Sequence, residues 1–388
     1  MPATRLIQCS TPVLTVAFEL GWTEWKLAST TGRGLAPRIK TVAARDLAAV
    51  DRELAAAKVR FGLPADTPVR SVYEAGRDGF WLHRALLARN VDNLICDPAS
   101  IEVNRRARRA KTDALDAAKL VALLVRHHEG ERVWTVLRVP SPVEEDRRTL
   151  HRELEQLKDE RTGHANRVRG LLAQHGLDDT LDATFATRLP TLRLWNGEPV
   201  PAELQLRLLR IYERWQKLHR QILDLESLRK RQVGTDTTPQ VSRVRRLLGL
   251  AGLGFNGSWL LVYELFGWRQ FRNRRELASH LGLTPTPYAS GSSAREQGIS
   301  KAGNARLRRM MVELAWCWLR HQPESALSRW YAERFARGSP RARKVGIVAV
   351  ARKLAIALWR YVEQGELPAG AMEVSWQSKL KRKEPVAA

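Results

Sequence analysis

The sequence predicts three parts: an α/β domain with a mixed sheet at the front, a long helical coiled-coil hairpin in the middle, and a mostly α-helical, strongly basic domain at the back. Three observations carry this. Short apolar runs alternate with helical patterns through the first 135 residues or so, the signature of an α/β domain. Leu204, Leu208, Ile211, Trp215, Leu218, Ile222 and Leu225 fall at alternating spacings of four and three, a heptad seam. Residues 241–388 hold 26 Lys or Arg against 10 Glu and no Asp. The boundaries fall at 1–138, 139–240 and 241–388.

At the front, Val13 to Phe18 and Trp25 to Ala28 are apolar runs joined by Leu20-Gly21-Trp22-Thr23, which predicts a hairpin. Ala44 to Arg60 has helical spacing, with Leu47, Val50 and Leu54 on one side. Val69 to Tyr73 reads as a third strand ending at Glu74, Phe80 to Arg89 as a helix, and Asn93 to Cys96 as a further strand closed by Asp97-Pro98. Thr112 reads as the N-cap of a helix running to about His127.

The texture changes near Pro140-Ser141-Pro142. Leu150, Leu154, Leu157, Ala165, Val168 and Leu172 mark one long helix, and after a break over 176–200 the seam marks a second. Such a pair forms an antiparallel hairpin within a chain or pairs between chains. Its highly charged flanks favour pairing between chains, hence a homo-oligomer, a dimer or tetramer. From about residue 243, Val244 to Leu250, Ala251-Gly252-Leu253-Gly254 and Ser258 to Leu265 read as helix, glycine turn, helix. That turn is either a phosphate-binding corner or an ordinary one. Arg306 to Leu319 and Lys344 to Tyr361 read as helices, and Lys379 to Lys383 as a basic tail.

Composition narrows the function classes. Apolar residues at 44% and charged residues at 27% fit a folded globular chain. No apolar run approaches the roughly 18 residues of a membrane span, and the first ten residues lack an export signal. Cys9, Cys96 and Cys317 form no CxxC pair, which argues against a zinc site or disulfide framework. The expectation is a cytoplasmic protein, at the nucleoid when bound to DNA. A net charge of +24 calls for a polyanionic partner, and nucleic acid fits best.

Two groups of residues could do chemistry. Glu19 ends the first strand and Glu74 the third, while Asp113 and Asp116 lie three apart in the first turn of one helix and share a face. Carboxylates so placed can hold two hard divalent cations, Mg²⁺ or Mn²⁺, for phosphoryl transfer. Taken singly, each is equally an ordinary surface charge or helix-dipole partner. The second group is Tyr288-Ala289-Ser290-Gly291-Ser292-Ser293, followed by Ile299-Ser300-Lys301-Ala302-Gly303-Asn304 and the basic run Arg306-Leu307-Arg308-Arg309. A serine beside glycine in a flexible loop is exposed enough to attack a phosphate, or simply hydrogen-bonds one.

These motifs together resemble the transposases of the IS one-ten family of bacterial insertion sequences, on its IS eleven-eleven branch. Lys111-Thr112-Asp113-Ala114-Leu115-Asp116-Ala117 has that family's KTDxxDA form, and Val72-Tyr73-Glu74-Ala75-Gly76 resembles its second acidic motif. Leu250 to Gly254, Arg272 to Leu283, Ser290-Gly291 and Ile299 to Asn304 match its C-terminal domain, in the right order. The resemblance implies a DEDD, RNase H-like (RuvC-like) front domain. Glu74, Asp113 and Asp116 would be three of its metal-binding tetrad, and Glu19 stands where the family has Asp. It implies that Ser290, with Ser292 and Ser293 as rivals, is the nucleophile, and that serine and carboxylates meet in a composite site between subunits. Members are also similar to recombinases guided by a structured non-coding RNA, a second polyanion beside DNA.

The function expected is therefore a DNA transposase or recombinase that cuts and rejoins strands with Mg²⁺ (or Mn²⁺) and a serine. Two alternatives stand beside it. One is a metal-dependent junction-resolving nuclease without a covalent intermediate. The other is a catalytically inactive DNA- or RNA-binding protein.

Overall fold

In the computed structural model, which describes residues 12–101, 112–290 and 293–381, five strands form one mixed sheet at the front. They are β1 (Leu14–Leu20), β2 (Glu24–Thr30), β3 (Arg38–Ala43), β4 (Val69–Glu74) and β5 (Val91–Cys96), in the order β3-β2-β1-β4-β5. β2 pairs antiparallel with both β1 and β3, β4 pairs parallel with β1, and β5 pairs parallel with β4. The expected hairpin is present. Strand β3 was not expected; it is a largely exposed edge strand, and helix α1 (Leu47–Arg60) begins after it, capped by Asp46. Helices α2 (Trp81–Leu87) and α3 (Asp113–His128) complete the unit, which spans Met1–Pro140.

Strand alternation sorts the two faces. Val16, Phe18, Leu27, Trp25 and Tyr73 point to the face of α2, whose Trp81 ring lies 5.9 Å from that of Trp25. Beneath α2, Asn93 hydrogen-bonds His83 Nδ1 at 2.9 Å and accepts from buried Ser71 at 2.7 Å. Ala17, Ala28, Val72 and Cys96 point the other way and pack under Ala117, Leu120, Val121 and Leu124 of α3.

The second unit, Ser141–Ala388, opens with two long helices, α4 (Pro142–Ala173) and α6 (Ala202–Thr235), linked through the short α5 (Phe185–Arg188). A capping box starts α4: Ser141 accepts from the Glu144 amide while the Glu144 carboxylate accepts from the Ser141 amide. The helices run antiparallel, since Arg147 meets Asp236, Lys158 meets Glu226 at 2.6 Å and Arg161 meets His219 at 3.3 Å. The seam faces inward. Leu204, Leu208, Ile211 and Trp215 are buried in this same chain with Val168, Leu171, Leu172, Phe185 and Leu189. Periodicity marked the stripe correctly, and from Leu204 to Trp215 its cover is α4 and the linking segment of the same chain.

Beyond Val233 a larger core gathers α7 (Pro239–Leu248), α8 (Phe255–Leu261), a π-helical turn at Val262–Phe266, α9 (Arg274–His280), α10 (Ala305–His321), α11 (Ala326–Tyr331), a second π turn at Ala332–Ala336, α12 (Pro340–Gln364) and α13 (Trp376–Lys381). The glycine turn between α7 and α8 is an internal corner. Its Ala251 amide donates to Met372 O and its Ala251 carbonyl accepts from Gln322. Lys379 donates to the carbonyls of Leu250 and Leu253. So Lys379, expected in a basic tail, is bound internally, and Lys383 lies outside the described residues. Among the described residues, no helix is long and apolar enough to cross a membrane.

Candidate active site and nucleic-acid interface

The acidic residues converge on one end of the sheet. Phe18 is paired with Tyr73 across parallel strands, so Glu19 and Glu74 come next on adjacent strands, Glu19 still paired with Lys26 on its other side and Glu74 with Cys96. Each follows by two residues a side chain packed under α3, Ala17 and Val72 respectively, so both point to the α3 face.

Helix α3 runs opposite to β1 and β4. Beyond its C-terminal end, Glu129 and Glu131 bind Arg33, which follows the end of β2 where that strand passes the start of β1. His128 also senses Arg70 and Asp92, at the starts of β4 and β5. The first turn of α3 therefore lies at the Glu19 and Glu74 end. Asp113 is one turn before buried Ala117, and Asp116 one turn before buried Leu120. Both aspartates extend the sheet-facing stripe past the strand ends. Thr112 caps this helix by accepting from the Leu115 amide at 3.3 Å, as the sequence predicts; Lys111 lies outside the described residues.

Cys96 reports the charge at this end. Burial pushes its thiol up to about 12, and the carboxylates of Glu74, Asp97 and Glu19 add to the effect. Asp97, read from the sequence only as a strand break, is thus a further carboxylate here; its signal was an acidic residue directly after a strand. A protonated, buried thiol is neither nucleophile nor metal ligand. Glu19, Glu74, Asp113 and Asp116 offer only oxygen donors, the donor type that suits a hard cation such as Mg²⁺. Among the described residues, no three such groups are already drawn together tightly enough to enclose one.

Ser290 ends a strand. The segment expected to be a loop is an antiparallel hairpin, β6 (Pro285–Ser290) with β7 (Ser293–Ile299), and Ser290 is paired with Ser293. Gly291 and Ser292 lie outside the described residues. The hairpin is hung from a close backbone crossing at its base. The Ser300 amide donates to Thr284 O at 2.8 Å and the Asn304 amide to His280 O at 2.9 Å. Gly282 and Gly303 both have positive φ, +65° and +90°, and a Cβ on either would run into the opposite backbone, at Ala302 O and His280 O. The Ile299 to Asn304 motif is therefore the hairpin's support, and Asn304 also caps α10 by accepting from the Leu307 amide.

Basic residues of this unit divide into two groups. Arg243, Arg245, Arg246 and Arg308 donate to backbone carbonyls of Phe266, Val233, Tyr361 and Lys301 among others, and are structural. Arg341, Arg343 and Lys344 are exposed on the first turns of α12. Arg341, Lys344 and Arg352 rim a groove of about 370 Å³ whose floor is Leu283, Pro285, Ile299, Val345 and Val348, at the base of the Ser290 hairpin.

A buried ionic cluster was invisible in the sequence. Arg229 lies over the rings of Phe255 and Trp259 and donates to Asn256 at 2.6 Å and to His151 Nδ1 at 3.1 Å. Buried Glu264, on the first π turn, accepts from Arg152 at 2.6 Å, with Arg148 and Arg306 close by. It ties the α4/α6 hairpin to α8 and α10.

Residues 244–331, which include the β6/β7 hairpin, match the model of the Transposase IS116/IS110/IS902 family. The whole chain is similar to the putative transposase y4rJ of Sinorhizobium fredii, 40% identical over 386 residues, covering 95% of this chain and 97% of that one. It is 32% identical over 215 residues to a probable family 20 transposase of Pseudomonas aeruginosa, covering 54% of this chain and 61% of the relative. To the transposase for insertion sequence element IS1111A of Coxiella burnetii it is 27% identical over 227 residues, covering 58% and 60%.

Proposed function

This chain belongs to the IS116/IS110/IS902 family of transposases, and from that premise we propose how it cuts and rejoins DNA: carboxylates of an RNase H-like front domain act with a serine of the back unit. The observation that carries the reading is the convergence of Glu19, Glu74, Asp113 and Asp116 on one end and one face of the sheet. The strand order β3-β2-β1-β4-β5 supports the RNase H-like, RuvC-like assignment. These four carboxylates would hold Mg²⁺ or Mn²⁺, which when bound supplies positive charge to the oxygens of the scissile phosphate. Glu19, one methylene longer than Asp, would still bring a carboxylate to the cation.

Ser290 supplies the nucleophile. Its hydroxyl oxygen attacks phosphorus and loses its proton, and the departing strand oxygen takes up a proton. The resulting ester conserves the bond for rejoining. Arg341, Arg343 and Lys344 hold flanking phosphates.

We place serine and carboxylates of one site on two chains. The seam from Leu204 to Trp215 does not supply that contact, because it is buried within its own chain. The surplus of +24 also suits a structured non-coding RNA as a second polyanion. Mixing tests the shared site: Asp116→Ala and Ser290→Ala chains, each inactive alone, are expected to recover recombination together. No recovery from proven mixed oligomers would refute it. Ser290→Ala also separates the reading from a junction-resolving nuclease, which would go on cutting without its serine. Absence of calorimetric Mg²⁺ or Mn²⁺ binding would instead favour an inactive nucleic-acid-binding protein.

A further inference from the structure

The turn between β1 and β2 carries Trp22 at the same end of the sheet as the carboxylates. The residue is 64% exposed, unusual for so large an apolar side chain. Two arginines lie on it: Arg45, after the end of β3, with its guanidinium carbon 4.9 Å from the ring centroid, and Arg77, just after β4, at 4.7 Å. Both are held in place. Arg45 donates to Trp22 O at 3.1 Å and adopts a positive φ of 69°, a costly conformation for a residue with a Cβ. Asp78, with its side chain 7% exposed, binds Arg77 at 3.1 Å and Arg45 at 3.6 Å. Gly21 lets the turn close, since a Cβ there would strike Glu24 O.

A fixed aromatic face with two oriented guanidinium groups is the chemistry that binds an unpaired nucleotide, the base stacking on the ring and the flanking phosphates on the arginines. A duplex gives no such base face. We propose that Trp22, Arg45 and Arg77 form a stacking platform that holds an unpaired nucleotide of the DNA strand presented to Glu19 and Glu74. The role rests on the carboxylate reading above; the binding itself does not. Arg45 and Arg77 are positioning residues, acting on the strand through the phosphates beside the stacked base.

The test is affinity of the full chain for a labelled single-stranded oligodeoxynucleotide, measured by fluorescence anisotropy in EDTA so that no metal enters. Trp22→Ala is expected to weaken binding about tenfold, the scale of one base stack removed. Trp22→Phe should keep most of the affinity, and Trp22→Leu, which keeps apolar bulk without a π face, should lose it as Ala does. Affinity for fully paired duplex should not change. Light-induced cross-linking to an iododeoxyuridine strand should label the peptide containing Trp22. Unchanged single-strand affinity in Trp22→Ala, an equal loss for duplex, or cross-links confined to other peptides would each overturn the platform. Tighter Trp22-dependent binding of a ribo-oligonucleotide would overturn its assignment to DNA. Glu19→Gln keeps the two ideas apart: normal cutting by it would defeat the carboxylate reading and leave the Trp22 result standing.

Discussion

Glu19 and Glu74 stand side by side at the ends of two parallel strands, one residue beyond the paired Phe18 and Tyr73. Two like charges so placed repel, and on the reading proposed above a cation comes between them. Glu19→Gln is expected to slow strand cutting by roughly a hundredfold or more, the scale seen when one charge-stabilising group is removed from a site. Glu19→Asp retains the charge and should retain most of the activity. Neither should lower the thermal midpoint. Cleavage assays and melting curves on the same preparations check both halves.

The inward seam makes a stability prediction. Leu208 is fully buried against the α4 side of the hairpin. Leu208→Ala should cost about 3 kcal/mol in urea unfolding, within the usual range for a buried leucine. Sedimentation should show an unchanged oligomeric state. Dissociation without loss of subunit stability would mean the stripe is covered by another chain.

His280 makes a pH prediction. Burial, with the charge of Arg269 adding to it, lowers its folded value to about 3 against an ordinary 6.5. The folded chain thus holds the ring neutral while the unfolded chain protonates it. Its contribution is complete above pH 6.5 and is lost as pH falls from 6.5 towards 3. His280→Gln should flatten the acid limb of stability against pH in that window. An identical limb in the variant would contradict this.

Salt dependence checks the grip of the back unit. Log affinity for duplex DNA should fall linearly with log salt. Replacing Arg341, Lys344 and Arg352 by Ala should reduce the slope by roughly 0.9 for each phosphate that is no longer neutralised. An unchanged slope would place the DNA elsewhere.

Much of this was legible in the sequence, and the gaps have physical causes. Thr112 and Asp113 to Asp116 announced a capped helix because capping and charge at a first turn are local properties. Glu19 and Glu74 could be placed at strand ends because buried strands leave clear apolar runs. Strand β3 left none, since an exposed edge needs apolar side chains at few of its positions. The β6/β7 hairpin was hidden by Pro285 and Pro287, residues confined to edges and bulges, and by serines and glycine that read as loop. The heptad seam gave the stripe but not its cover, because periodicity is the same within a chain as between chains. Arg229 and Glu264 were invisible because a buried charge depends on partners brought from distant positions.

The backbone crossing at Gly282 and Gly303 makes the Ser290 hairpin a lever with a fixed pivot. Six residues of β6 reach roughly 20 Å at about 3.3 Å each. A tilt of only about 5° at the pivot would carry the tip about 2 Å, comparable to the whole tolerance of an in-line attack. If Ser290 is the nucleophile proposed above, Gly303→Ala is expected to abolish strand cutting without any change to the serine, its strand or its charged neighbours. The place of the hairpin tip is set some ten residues away, by two positions that hold no functional group at all.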